Sequence, residues 1–190
     1  MIIHPNKLTM MRIVSVPLII VCFLLDFPYS NWLCWGLFTL AGITDFFDGY
    51  LARKYQLESK LGAFLDPVAD KMIVVLTLIL LVSSQRLLDQ MLAPMIFIFA
   101  VIIVVGREVF VSALREWMAE QGKRDNVAVS KVGKFKTVAQ MFAIGGLLLR
   151  VPVFGIPILQ LSELLFYVAT ILTVWSMSIY LKAAWSDLID

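Results

Sequence analysis

Six apolar stretches separated by polar connections organise the chain, at approximately 8–26, 31–49, 66–83, 91–111, 134–150 and 161–181. A helix needs about 20 residues to cross the hydrocarbon core, with a range of roughly 17–25, so each stretch predicts one transmembrane helix. Several reach that length only by taking in polar residues at one end; the run from Ile13 to Leu25 is too short alone. Pro5, Pro28, Pro67, Pro94, Pro152 and Pro157 fall near predicted helix ends, where a missing N–H costs least. Pro17 lies inside the first span, where it removes a backbone donor and predicts a kink. Lys7 and Arg12 ahead of that span could suggest a signal peptide, but Asp26-Phe27-Pro28-Tyr29 lacks a small-residue cleavage pattern, so the segment is kept as a helix. No repeat, low-complexity tract or flexible linker divides the chain. The expectation is an all-α integral membrane protein, with six transmembrane helices in one bundle and a single domain over 1–190.

Composition agrees with lipid as the solvent. Of 190 residues 61% are apolar and 16% charged, with a mean hydropathy of +0.89, against about 25% charged in an ordinary soluble domain. The net charge is only +2, which gives no sign of a nucleic-acid partner, so information must lie in where the charges fall. Lys7, Arg12, Arg53, Lys54, Lys60, Lys71, Arg107, Arg115, Lys123, Arg124, Lys131, Lys134, Lys136 and Lys182 lie before the first span, around the second and fourth connections, and after the last span. The other connections hold only Arg86 and Arg150. Cytoplasmic loops retain Lys and Arg, so both termini are expected in the cytoplasm. Cys22 and Cys34 read as membrane-buried small hydrophobes, and His4 as a surface imidazole. Trp32, Trp35, Trp117, Trp175 and Trp185 read mostly as interfacial anchors.

Ionisable groups within spans are costly and mark functional candidates. Asp45 and Asp48 sit near the cytoplasmic end of the second span, and Asp66 and Asp70 near the start of the third. Spacings of i,i+3 and i,i+4 put each pair on one helical face, and the short connection predicts antiparallel neighbours. Two facing pairs make a four-carboxylate cluster that repels itself unless a cation intervenes. Oxygen ligands without His or Cys select Mg²⁺, Ca²⁺ or Mn²⁺. Four carboxylates could bridge two such ions, an arrangement suited to attack at phosphorus. Gly49, Ala52 and Gly62 open space beside the carboxylates, and the planar donors of Arg53 could clamp a diphosphate.

The pattern Asp45, Asp48, Gly49, Ala52 and Arg53, then eight residues, Gly62, three residues, Asp66, three residues and Asp70 resembles the signature of the CDP-alcohol phosphatidyltransferases, matching at every specified position. Further segments are similar to the bacterial members that use sn-glycerol 3-phosphate. These are Pro5-Asn6-Lys7-Leu8-Thr9-Met10-Met11-Arg12, Gly62 through Lys71, Arg107-Glu108 with Ser112 through Glu120, and Val127-Ala128-Val129-Ser130 with Gly133-Lys134. The resemblance implies six transmembrane helices in the bacterial inner membrane, a homodimer, and a cytoplasm-facing site that takes CDP-diacylglycerol and sn-glycerol 3-phosphate and releases CMP. It further implies that Asp45, Asp48, Asp66 and Asp70 bind two divalent cations, Mg²⁺ or Mn²⁺, and that Asp70 doubles as general base. Gly49, Ala52 and Arg53 would contact the CDP part, with Gly62 keeping the site open.

A small dianionic acceptor needs a basic pocket of its own. Arg107 and Arg115 extend from the fourth span with Val111 between them on an i,i+4,i+8 stripe, while Lys131 and Lys134 approach the fifth; these four are the expected phosphate ligands. Asn6, Thr9 and Arg12 are explained as well by capping and snorkelling as by substrate contact and are left out of the site. Three competing readings stand. A cation transporter should carry its site near the midplane, between repeats, and these aspartates cluster toward one face. Membrane prenyl transfer also uses aspartate-bound metal, but six short spans and the Asp45-to-Asp70 pattern disfavour it. The closer rival is the same family with serine, inositol phosphate or phosphatidylglycerol as acceptor.

Overall fold

The computed structural model describes residues 5–55, 60–123 and 131–189. His4 and the 127–130 segment lie outside the described residues. Among the described residues the chain forms seven helices: α1 (Pro5–Leu25), α2 (Ser30–Tyr55), α3 (Lys60–Ser83), α4 (Gln85–Leu88), α5 (Pro94–Glu120), α6 (Lys131–Leu149) and α7 (Ile158–Ile189). Each apolar stretch falls largely within one of the six long helices. The helices overrun the stretches, because hydrocarbon thickness limits the apolar run and not the hydrogen-bond ladder. The short α4, started by Ser84 accepting from the Leu87 N–H, carries too little periodicity to be read from sequence.

Helices α5 and α7 contain segments, Pro94–Glu120 and Ile158–Trp185, long and apolar enough to cross a bilayer; Thr9–Leu25 and Phe135–Leu149 are shorter apolar helices. The large apolar side chains of Ile96, Phe99 and Ile102 on α5, and of Leu164, Val168 and Ile171 on α7, point outward, as helices solvated by lipid require.

The chain divides into two compact units, Met1–Gln90 with Ile144–Leu159, and Met91–Ala143 with Gln160–Asp190. In the first unit α1 packs against both α2 and α3. Its buried stripe is Thr9, Arg12, Val16, Ile19 and Phe23, the 3–4 spacing of one helix face. Cys34 is buried, its thiol 3.6 Å from the Ile19 carbonyl, and both cysteines are free. Pro17 lies inside α1, which continues through it to Leu25.

Arg150 and Arg86, the two bases outside the fourteen, meet on one acid. Arg150, in the left-handed region at φ 57° just past α6, donates to Asn31 at 2.5 Å and lies 3.6 Å from Asp26. Its guanidinium sits 4.4 Å from the Phe23 ring centre, and Arg86 pairs with the other oxygen of Asp26. Beyond it, Val153 and Ile156 exchange hydrogen bonds across Phe154 and Gly155, whose positive φ values are those of a type I′ turn.

In the second unit the buried positions of α5 run Phe97, Val101, Val104, Val111 and Met118, alternating steps of three and four. That register assigns the intervening core positions to Glu108 and Arg115. Val111, Leu114 and Met118 pack with Tyr180 and Ala184 of α7, flanked by Trp117 and Met177. Thr170 and Thr173 return their hydroxyls to carbonyls one turn back on α7, at 2.9 and 2.7 Å, so polar side chains lie on the seam without unmet donors. Gly122, at φ 70°, ends α5: its N–H reaches the Ala119 carbonyl, and the Lys123 N–H reaches Met118, a Schellman-type close.

Candidate active site

Because α2 runs on to Tyr55 and α3 starts at Lys60, every position of the Asp45-to-Asp70 motif is helical. Asp45, Asp48, Gly49, Ala52 and Arg53 share α2, and Gly62, Asp66 and Asp70 share α3. This corrects one sequence expectation: Pro67 lies within α3 rather than near its start. Pro67 has no N–H for the Ala63 carbonyl, so the turn from Ala63 to Pro67, which carries Asp66, holds one fewer ladder bond.

Asp45 is half-exposed and forms an ion pair with Arg12, whose side chain is 2% exposed. Arg12 stands on the stripe that α1 buries, and its carbonyl accepts from Ser15 at 2.7 Å. A buried guanidinium against a candidate metal carboxylate is more than snorkelling. The signal was present in the sequence, since Thr9, Arg12, Val16 and Ile19 share a helical face. Asp70 is exposed beside buried Ala69 and Ile73, so the α3 face that carries it turns from the core. The side chains of Asp48, Gly49, Ala52, Arg53, Gly62 and Asp66 lie outside the described part, as do those of Lys131 and Lys134. Asp45 and Asp70 offer accessible, hard oxygen donors. The recruitment of Arg12 marks the Asp45 end as a place that requires positive charge. The donor set fits Mg²⁺ or Mn²⁺.

In the second unit the expected pair Arg107 and Arg115 does converge. Their guanidinium carbons lie 5.8 and 5.1 Å from the centre of one ring, Tyr180. Arg115 donates to the Tyr180 hydroxyl at 3.3 Å, and Arg107 to Ser176 at 3.1 Å. Arg107 also donates to Glu108 Oε1 at 3.2 Å, and Lys136 of α6, 4% exposed, donates to that same oxygen. Two cations therefore meet one carboxylate oxygen, in a largely buried setting. The Nε–H groups of Arg107 and Arg115 are buried without an acceptor among the described residues. Guanidinium donors of this kind suit a phosphate oxygen. Glu108, Lys136, Ser176 and Tyr180 were missed from sequence; only Glu108 carried a signal, as an ionisable residue on the core register of α5.

A family model described as CDP-alcohol phosphatidyltransferase matches residues 2–175. The chain belongs to the CDP-alcohol phosphatidyltransferase family. Within the family, a Haemophilus influenzae protein named "CDP-diacylglycerol--glycerol-3-phosphate 3-phosphatidyltransferase" is 43% identical over 187 residues, covering 98% of this chain and 95% of the relative. Proteins of the same name from Yersinia pestis (strain Pestoides F) and Salmonella choleraesuis are 43% and 42% identical over 186 residues, covering 98% of this chain and 97% of each relative. Family membership gives the motif on α2 and α3 its meaning: the aspartate-rich faces belong to an enzyme family that handles CDP-linked donors.

Proposed function

We propose that the protein transfers the phosphatidyl group of CDP-diacylglycerol to sn-glycerol 3-phosphate, giving phosphatidylglycerophosphate and CMP in phospholipid synthesis. The observation that carries this reading is 43% identity over 98% of the chain to a relative named for that reaction. The convergence of Arg107 and Arg115 on one ring favours a phosphorylated acceptor over serine.

Asp45, Asp48, Asp66 and Asp70 hold two divalent cations, which when bound neutralise charge on the diphosphate. Arg53 binds the diphosphate, with Gly49, Ala52 and Gly62 leaving room for the nucleotide. Arg107, Arg115, Lys131 and Lys134 bind the acceptor phosphate and orient the glycerol. Asp70 accepts the proton of the acceptor 1-hydroxyl as that oxygen attacks the phosphorus bearing diacylglycerol. A new P–O bond forms, the bond to the bridging diphosphate oxygen breaks, and CMP leaves with the electron pair. The whole chain acts as one domain of six transmembrane helices in the bacterial inner membrane, with both termini and the site toward the cytoplasm, and it works as a homodimer among membrane lipids.

The test uses purified protein in detergent with CDP-diacylglycerol, Mg²⁺ or Mn²⁺, and radiolabelled sn-glycerol 3-phosphate. Label should pass into organic-extractable lipid in step with CMP release, and EDTA should stop both. Asp70→Asn should lower kcat by about 10²–10⁴, the range for a lost general base. A folded Asp70→Asn variant with near-normal transfer would remove Asp70 from that role.

A further inference from the structure

We propose that Arg12 is a positioning residue for the divalent-cation site: from the buried side of α1 it fixes the carboxylate of Asp45 in the direction from which a cation is bound. This rests on the reading above, in which Asp45 is a metal ligand, and adds to it a residue of the first helix.

α1 packs against both α2 and α3, the two helices that carry the aspartate motif. Arg12 stands on the stripe that α1 buries, between Thr9 and Val16. Packing alone does not call for a guanidinium there, since Val16, Ile19 and Phe23 continue the same stripe with apolar side chains. A charge at such a depth is costly unless it is paired. Arg12 Nη1 donates to Asp45 Oδ1, and the two partners differ in kind: the guanidinium is buried and the carboxylate half-exposed. Asp45 is therefore gripped at one oxygen from the core side and open on the other. Arg12 has a further interaction besides this pair, which adds to what holds the guanidinium in place. A ligand arriving from the open side meets the carboxylate, and Arg12 acts through it. Groups that hold a metal-ligating carboxylate from behind set its orientation, and their loss costs about 10–100-fold in metal affinity or activity. The planar fork of arginine fixes that direction better than an ammonium on a flexible stem. The far end of α1 supplies a contrast. Asp26, just past Leu25, pairs with the exposed Arg86, about 20 Å along the helix from Arg12. The pair far from the motif lies in the open, whereas the pair at the motif has its cation in the core.

The test measures Mn²⁺ binding to the purified protein in detergent, without substrates, from the electron paramagnetic resonance signal of free Mn²⁺. It compares the wild type with Arg12→Gln, Arg12→Lys and Arg86→Gln, each checked for monodispersity and melting temperature. Arg12→Gln should weaken Mn²⁺ binding about tenfold or more. Arg12→Lys, which keeps the charge and loses the planar fork, should weaken it less. Arg86→Gln removes an exposed pair and should leave Mn²⁺ binding within about twofold of the wild type. Turnover should follow the same order. In Arg12→Gln the Mn²⁺ concentration for half-maximal CMP release should rise about tenfold, with kcat at saturating Mn²⁺ within about threefold and the KM for sn-glycerol 3-phosphate within about twofold. Unchanged or tighter Mn²⁺ binding in folded Arg12→Gln would overturn the proposal, tighter binding showing that the guanidinium competes with the cation. An equal loss in Arg86→Gln would overturn it too, as the mark of a general structural effect. If Arg12→Gln does not fold, Arg12→Lys decides alone: weaker binding supports the proposal and wild-type binding overturns it. Wild-type protein that binds no Mn²⁺ overturns the metal reading as well; wild-type binding with unaltered Arg12 variants overturns only this inference.

Discussion

Glu108 and Glu163 are two carboxylates of the same unit, and their surroundings differ in kind. Glu163, on α7, is fully buried and surrounded by neutral donors. The Leu92 and Ala93 N–H groups reach its two oxygens at 2.8 and 2.9 Å, and the Tyr167 hydroxyl reaches Oε1 at 2.6 Å. Ala93 is the N-cap of α5 and has no side-chain cap of its own. Glu163 accepts from the two N–H groups just ahead of the helix, near the positive end of the α5 dipole. Every bond it makes closes a local deficit. Glu108 instead takes its hydrogen bonds from two cations, Arg107 and Lys136, at one oxygen. One acid is satisfied mainly by backbone at the start of a helix; the other ties charged side chains of α5 and α6 together.

Substitutions separate the two. The largest effect should come from Arg107→Ala, which removes a guanidinium held by Glu108 and Ser176: kcat/KM for sn-glycerol 3-phosphate should fall by about 100-fold or more, with little change in melting temperature. Glu163→Ala should do the reverse. Two part-buried backbone amides lose their acceptor, at up to about 1–3 kcal/mol each. The melting temperature should drop by about 5 °C or more, while kcat/KM per folded molecule stays within about twofold. Tyr180→Phe should be the mildest, keeping the ring under both guanidiniums and losing only the hydroxyl that accepts from Arg115, with kcat/KM lower by about threefold. If Arg107→Ala destabilised the protein while sparing turnover, or Glu163→Ala abolished turnover in folded protein, the distinction would collapse.

How much of this was legible in the sequence follows the range of the interactions. The α2 and α3 motif is local, its spacing set by helical geometry, and it lies on two helices as the aspartate spacing requires. The Arg107, Val111 and Arg115 stripe was equally readable, and it meets one ring. The partners of that stripe were not, because Tyr180 and Ser176 are some 70 positions away and hydroxyl residues on a greasy helix give no directional cue. Glu163 was hidden for the same reason: its bonds cross from α7 to the start of α5. Arg86 and Arg150 were counted only as exceptions in the charge distribution, and their common partner Asp26 emerges in three dimensions. Pro67 was misplaced because helix ends were inferred from apolar limits, and α3 begins one and a half turns before its apolar run.

The central claim is that this chain gives its phosphatidyl group to a phosphorylated glycerol. The direct measurement is CMP release by the purified protein with CDP-diacylglycerol and Mg²⁺ or Mn²⁺, with sn-glycerol 3-phosphate, serine, inositol phosphate and phosphatidylglycerol offered one at a time. The account predicts CMP release with sn-glycerol 3-phosphate and background with the other three. Release with serine, inositol phosphate or phosphatidylglycerol and none with sn-glycerol 3-phosphate would contradict it.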